Sequence, residues 1–219
     1  IADVGPLAPL DERDELGRNA APAGGMAVSA NDMGRWLQVQ LARGALPGSG
    51  RLFSEAQSAE MWKPTVIQPI SDRGGELSAL TPNFATYALG WEARDYRGAK
   101  IVSHGGAVLG FQSVVVMVPS KNVGFAMLIN SEDGEILLGL QNELLDHYLG
   151  AAANDWPAKL SAYKAKSLAA AMQQVGATTA TRAKVGPSLP VARYVGTYSD
   201  PWYGNIVIGT AGTGANGRF

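Results

Sequence analysis

The chain has 219 residues, no cysteine, 46% hydrophobic and 17% charged residues, and a formal net charge of -1. Average chains carry about 25% charged residues, so this composition excludes a disordered acidic or basic chain, and 18 basic against 19 acidic residues leave no electrostatic footprint for nucleic acid. No apolar run nears the ~20 residues of a membrane-spanning helix, and the lack of cysteine removes disulfides, thiol nucleophiles and thiolate metal ligands.

Residues 1–10 have neither the basic start nor the apolar stretch of a signal peptide, and Ile1 reads as an internal starting point. Residues 1–28 are rich in Pro, Gly, Ala and charge and have no period. Met33, Trp36, Leu37 and Leu41 then recur at helical spacing, with Ser29 and Asp32 in the positions of a capping box and Gly44 as the stop. A short helix is predicted over 54–62, ahead of Pro64. Residues 63–86, broken by Pro64, Pro69, Gly74, Gly75 and Pro82, read as a long loop of the kind that serves function.

β character follows. Strands are predicted over 87–92, 100–104, 112–118 and 123–130, with a hairpin turn at 119–122. The runs 114–118 and 125–129 are almost wholly apolar and predict central strands covered on both faces. Ile136, Leu137, Leu140, Leu144, Leu145 and Tyr148 form the stripe of a long helix closed by Gly150. Strands followed by a covering helix predict an α+β arrangement, an antiparallel sheet flanked by helices. The expected organisation is a main domain over 1–150, an Ala-rich helical connector over 151–186, and about two strands of an incomplete small β-domain over 187–219.

Candidate chemistry is sparse. His104 closes the apolar run Lys100-Ile101-Val102-Ser103 and is followed by Gly105 and Gly106, a place where a ligand or another backbone can come close. An ordinary tight turn is the competing reading of that segment. His147 reads as a solvated residue near a helix C-terminus. Ser161-x-x-Lys164 matches a nucleophile–base pattern, but in the connector the lysine would be solvated and charged, unfit as a base. Gly212-x-Gly214-x-x-Gly217 satisfies a dinucleotide fingerprint with no room for the helix that must follow. Helix capping already accounts for Ser29-x-Asn31. No GxSxG elbow, HExxH, Walker loop or metal-spaced histidine pair is present, so the residues offer no visible nucleophile, no metal site and no cofactor site.

Three segments in order nevertheless carry a resemblance. Residues 20–37, from Ala20-Ala21-Pro22-Ala23-Gly24-Gly25-Met26 to Trp36-Leu37, the strand Tyr87-Ala88-Leu89-Gly90-Trp91-Glu92, and Val102-Ser103-His104-Gly105-Gly106-Ala107 resemble the serine β-lactamase-like hydrolases. That group includes class C β-lactamases, penicillin-binding proteins, D-aminopeptidases and esterases, and the third segment is similar to its His-x-Gly motif. The resemblance covers about residues 15–150 and implies a β-lactamase/transpeptidase-like fold and acyl-enzyme chemistry on an ester, amide, lactam or short peptide. It implies His104 as a catalytic residue at the substrate rim, the backbone N–H of Ala107 as one oxyanion donor, and Gly105 and Gly106 as substrate-binding positions. It also implies an exported or periplasmic parent protein and no cofactor.

The family's Ser-x-x-Lys and Tyr-x-Asn elements precede the His-x-Gly strand, and nothing before His104 supplies them here. The chain is therefore expected to be the C-terminal part of such an enzyme, inactive alone, with an upstream segment completing the catalytic domain. The alternatives are a non-catalytic ligand- or peptidoglycan-binding relative, or a fragment that depends on a partner chain.

Overall fold

A computed structural model describes residues 18–108 and 110–209, and the chain divides near residue 165 into two compact units. The described part of the first unit opens with three helices, α1 Ala21–Gly24, α2 Ala30–Leu41 and α3 Glu55–Met61. The predicted capping box opens α2: the Asp32 N–H donates to Ser29 Oγ at 3.2 Å and the Ser29 N–H to Asp32 Oδ2 at 3.2 Å. Hydrogen bonds from Ser29 hold the Asp32 carboxyl below its usual range. Gly44 follows the helix at φ +93°, and a Cβ there would sit 2.1 Å from the Phe53 carbonyl oxygen, so both conformation and space demand glycine. Ser54 and Gln57 cap α3 in the same reciprocal way.

Six strands then lie side by side in chain order, each antiparallel to the next: β1 Val66–Ile67, β2 Ala85–Tyr87, β3 Glu92–Tyr96, β4 Ala99–Val108, β5 Phe111–Val118 and β6 Val123–Ile129. Helix α4, Gly134–Leu149, follows the last strand, and the Ile136 N–H donates to the Asp133 side chain at its start. Gly150 ends it in the left-handed conformation, where the sequence placed the stop.

Successive residues of a strand face opposite sides, and the two sides of the sheet have separate cores. Ile101, Val114, Val116 and Val118 pack with Leu137 and Leu145 of α4. Val102 and Met117, on the other side, pack with Leu37 of α2, Ala88 and Trp91, and Met61 and Trp62 lie against them. The architecture is the α+β arrangement expected, an antiparallel sheet with helices on both faces.

Three details differ from expectation. The predicted strand over 87–92 is instead the end of β2, a turn at 88–91 and the start of β3, because the Ala88 N–H bonds the Trp91 carbonyl and folds the chain back. The run 125–129 belongs to β6, which among the described residues lies at the edge of the sheet rather than its centre. Its apolar character follows from Leu37 and Leu41 of α2 on one side and the α4 core on the other. The long loop over 63–86 holds β1, a 3-10 helix Gly75–Leu80 and β2, elements too short to carry a period.

Helix α5, Trp156–Val185, occupies most of the Ala-rich stretch. Its first turns belong to the first unit, where Trp156 and Leu160 are buried with Leu77. The second unit, described by itself, contains the rest of α5, a 3-10 turn Val191–Tyr194, and the hairpin of β7 Gly196–Asp200 and β8 Gly204–Ile208. Asp200 accepts the N–H groups of Tyr203 and Trp202 and so shapes the hairpin turn. The Gly212–Gly217 match lies outside the described residues.

Candidate active site

Strand β4 is built in two halves. Ala99–Ser103 pair with β3, and Ile101, Val102 and Ser103 are buried. The last pair to β3 is Ser103 with Glu92; beyond it His104–Val108 continue along β5 only, in register Val115, Val114, Ser113, Gln112 and Phe111. Among the described residues no strand pairs the other edge of this half. His104 therefore does not end its strand and does not sit in a tight turn: it is extended backbone at the point where pairing changes from two-sided to one-sided.

His104, Gly105, Gly106 and Ala107 are all exposed, so the four residues implicated by sequence form one continuous stretch of accessible strand. A Cβ at Gly106 would stand 2.7 Å from Ser113 Oγ on the neighbouring strand, whereas at Gly105 the nearest atom would be the Ser113 carbonyl oxygen at 3.8 Å. Glycine at 106 thus keeps the strand bare on the face that carries His104.

His104 has a partner that the sequence reading missed. Its Nε2 lies 3.1 Å from Tyr87 Oη, and the two rings are tilted at 59° with centroids 6.2 Å apart. The position of Tyr87 is itself fixed from below. Asp95 on β3 accepts the N–H groups of Asn83 at 2.6 Å and Phe84 at 3.0 Å and the Asn83 side-chain amide at 2.6 Å, pinning the chain as it enters β2. Burial opposes the charged form of Asp95, but these hydrogen bonds outweigh it and hold the carboxyl below its usual range.

Asp146, on the last turns of α4, is the most heavily bonded carboxylate among the described residues of the first unit and was passed over in the sequence as a neighbour of His147. It accepts from Tyr96 Oη at 2.7 Å, Arg97 Nε at 2.6 Å, Trp156 Nε1 at 2.8 Å and Asn154 Nδ2 at 3.4 Å. Burial alone would raise its pKa; the Arg97, Tyr96, Trp156 and Asn154 hydrogen bonds reverse that and lower it. Tyr96, buried against this carboxylate, is pushed up to about 12. This cluster ties β3, α4 and the start of α5 together and buries Asp146, Tyr96 and Trp156, so its work is structural.

The remaining candidates separate cleanly. His147 is exposed on the last turn of α4, edge-on to the Tyr148 ring. Ser161 is exposed, and Lys164 one turn later is paired with Asp133 Oδ1 at 3.0 Å. That ammonium, with the Ile136 N–H assisting, holds the Asp133 carboxyl below its usual range. A lysine committed to a carboxylate is not poised to take a proton from serine. Neither residue joins the His104 stretch.

An accessible strand edge with a hydrogen-bonded histidine, on a sheet sandwiched by helices, suits enzymes that bind an extended substrate beside a strand. The chain belongs to the beta-lactamase family, whose model matches residues 3–148. It is 32% identical to the unguisins hydrolase ungD of Aspergillus violaceofuscus over 65% of this chain and 25% of that protein. With the unguisins hydrolase ungD' of Aspergillus campestris it shares 27% identity over 91% of this chain and 36% of that one. Penicillin-binding protein 4 of Amycolatopsis lactamdurans is 28% identical over 64% of this chain and 34% of its own length. The chain thus spans between 25% and 36% of these relatives. An octameric penicillin-binding protein homologue from Pyrococcus abyssi is similar in structure with a TM-score of 0.45 and 22% identity, over 56% of this chain and 24% of that one.

Proposed function

We propose that this chain is the C-terminal portion of a serine hydrolase that forms an acyl-enzyme with an ester, amide, lactam or short peptide. The observation that carries this reading is the one-sided half of β4, with His104 exposed at its start and bare backbone at Gly105 and Gly106. A peptide-like substrate laid along that edge adds a strand, taking main-chain hydrogen bonds that no described strand uses. Family membership and the hydrolase names of two relatives support the reaction class.

The roles follow from the chemistry of acyl transfer. Attack on a carbonyl builds negative charge on its oxygen, and an N–H fixed in place stabilises that charge without having to reorganise. Ala107 supplies one such N–H from the rigid β4–β5 ladder. His104, steered by Tyr87, hydrogen-bonds the substrate or the activated nucleophile at the rim. The nucleophilic serine, its lysine and the Tyr-x-Asn element belong to sequence N-terminal to this segment, and the 219-residue chain alone is inactive. The mechanism uses no cofactor. Export of the whole protein belongs to the same proposal.

Covalent labelling with a fluorophosphonate or a penicillin tests it. The isolated chain stays unlabelled, and a longer form carrying the preceding sequence is labelled at a serine of that sequence. Labelling of a serine within the isolated chain would overturn the assignment. A longer form that resists both reagents would identify a non-catalytic ligand-binding relative instead.

A further inference from the structure

The face of the sheet opposite His104 holds a cavity of about 330 Å³ that the hydrolytic reading does not use. Its walls are the segment 71–81, β3, the Ser103 and Gly105 positions of β4, β5 and α4. Helix packing normally closes such a space with apolar side chains, and Leu77, Leu80, Val114 and Leu138 supply part of that lining. The rest is polar, and two of its groups lack partners among the described residues.

Asn142 is only 1% exposed. Its Nδ2 donates to the Leu138 carbonyl at 2.7 Å, while Oδ1 is buried with no donor among the described residues. A buried acceptor left unmade costs the full price of its desolvation, and such groups in native proteins usually mark a missing partner. Arg94 borders the same cavity, and among the described residues its guanidinium has no acceptor and no ion pair; it lies over the Tyr96 ring, 5.8 Å from the centroid. By contrast Arg73, also on the wall, is already paired with Glu135 at 2.9 Å. Burial weakens the charged form of Arg94, with Glu92 opposing that effect, so an anion reaching it would meet a poorly solvated cation. Glu92, two residues away and therefore on the same face of β3, adds one carboxylate to the cavity lining.

We propose that this cavity binds a free α-amino acid with an apolar side chain. The carboxylate meets Arg94, the ammonium N–H groups meet Asn142 Oδ1 and the Glu92 carboxylate, and the side chain rests on Leu77, Leu80, Val114 and Leu138. A zwitterion matches walls on which, with Arg73 already paired to Glu135, Arg94 and Glu92 leave one charge of each sign. The volume, at the small end for ligand pockets, sets the size class. This site is separate from the His104 edge and stands or falls independently of the hydrolytic reading, although Gly105 is common to the strand behind both.

Titration of the isotope-labelled protein, followed by backbone and side-chain amide resonances, tests this with L-leucine, L-leucinamide and 4-methylpentanoate as probes. L-leucine produces saturable shifts at Ser103, Gly105 and the Asn142 side chain. Leucinamide, which lacks the anion, and 4-methylpentanoate, which lacks the donor, bind at least about 10-fold more weakly, the scale expected for losing a hydrogen bond to a charged group. Arg94→Gln weakens leucine binding by roughly 10–100-fold. Asn142→Leu, which replaces the unpaired amide with a group of similar shape, keeps the fold and reduces the preference for leucine over 4-methylpentanoate, leaving the part that Glu92 supplies. Should Arg94→Gln fail to fold, Arg94→Lys retains the charge without the planar fork and gives a smaller loss in the same direction. The proposal is overturned if none of the probes shifts these resonances saturably, or if the folded Arg94 variants bind leucine as tightly as the unaltered protein.

Discussion

The two halves of β4 share one backbone and differ in nearly everything else. Ala99–Ser103 are hydrogen-bonded to β3 and bury Ile101 and Val102 completely, one into each core. His104–Val108 are held by β5 alone and are exposed. A strand that is packed at one end and open at the other is rigid where it must be and accessible where a substrate could add. The lesson is that packing and accessibility are separated along a single strand, within a few residues, and the proposed function falls on the accessible half.

Substitutions at the two ends should therefore part company. Ile101→Ala, in the packed half, empties a fully buried site and should cost about 3–5 kcal/mol in chemical unfolding. A loss under 1 kcal/mol would show that this half is not the anchor.

Asp146→Asn comes next, because it breaks the cluster that fastens β3 to α4. The price of leaving a buried charge unpaired is reduced here by the 33% side-chain exposure of Arg97, giving roughly 2–4 kcal/mol. The same carboxylate gives a pH dependence. Its pKa is lowered in the folded state, so its contribution is complete above the ordinary aspartate value of about 3.9 and is lost as pH falls below it. Urea midpoints measured from pH 6 down to pH 2 should fall more steeply for the unaltered protein than for Asp146→Asn; parallel curves would deny the cluster this role.

Gly106→Ala should cost only about 1 kcal/mol, since the added methyl meets a rotatable Ser113 hydroxyl, and Ser113→Gly in the same chain should recover most of it. A thermal melt of the single and double variants checks this. Smallest of all is His104→Ala, an exposed substitution expected to stay within about 0.5 kcal/mol.

Much of this was legible in the residues. The helices announced themselves through period and capping at Ser29, Asp32 and Gly150, and the His104-Gly105-Gly106 run marked the candidate site because it is a local motif. What stayed hidden depends on long-range pairing. Tyr87 meets His104 only because the turn at 88–91 brings β2 beside β3, and no periodicity encodes that register. The Asp146 cluster collects side chains from β3, α4 and α5, with Tyr96 lying 50 residues before Asp146 and Trp156 10 residues after it. The apolar run of β6 reported that both its faces are covered, which is a property of packing. It could not report how many strands lie beside it, and the strand proved to be at the edge.

The separation along β4 is tested most directly by the acylation kinetics of the longer, nucleophile-bearing form, with and without His104→Ala, alongside melting temperatures. The account predicts a fall in kcat/KM of roughly 10²–10³-fold with a Tm shift of no more than about 2 °C. Unchanged kcat/KM at unchanged Tm would contradict it.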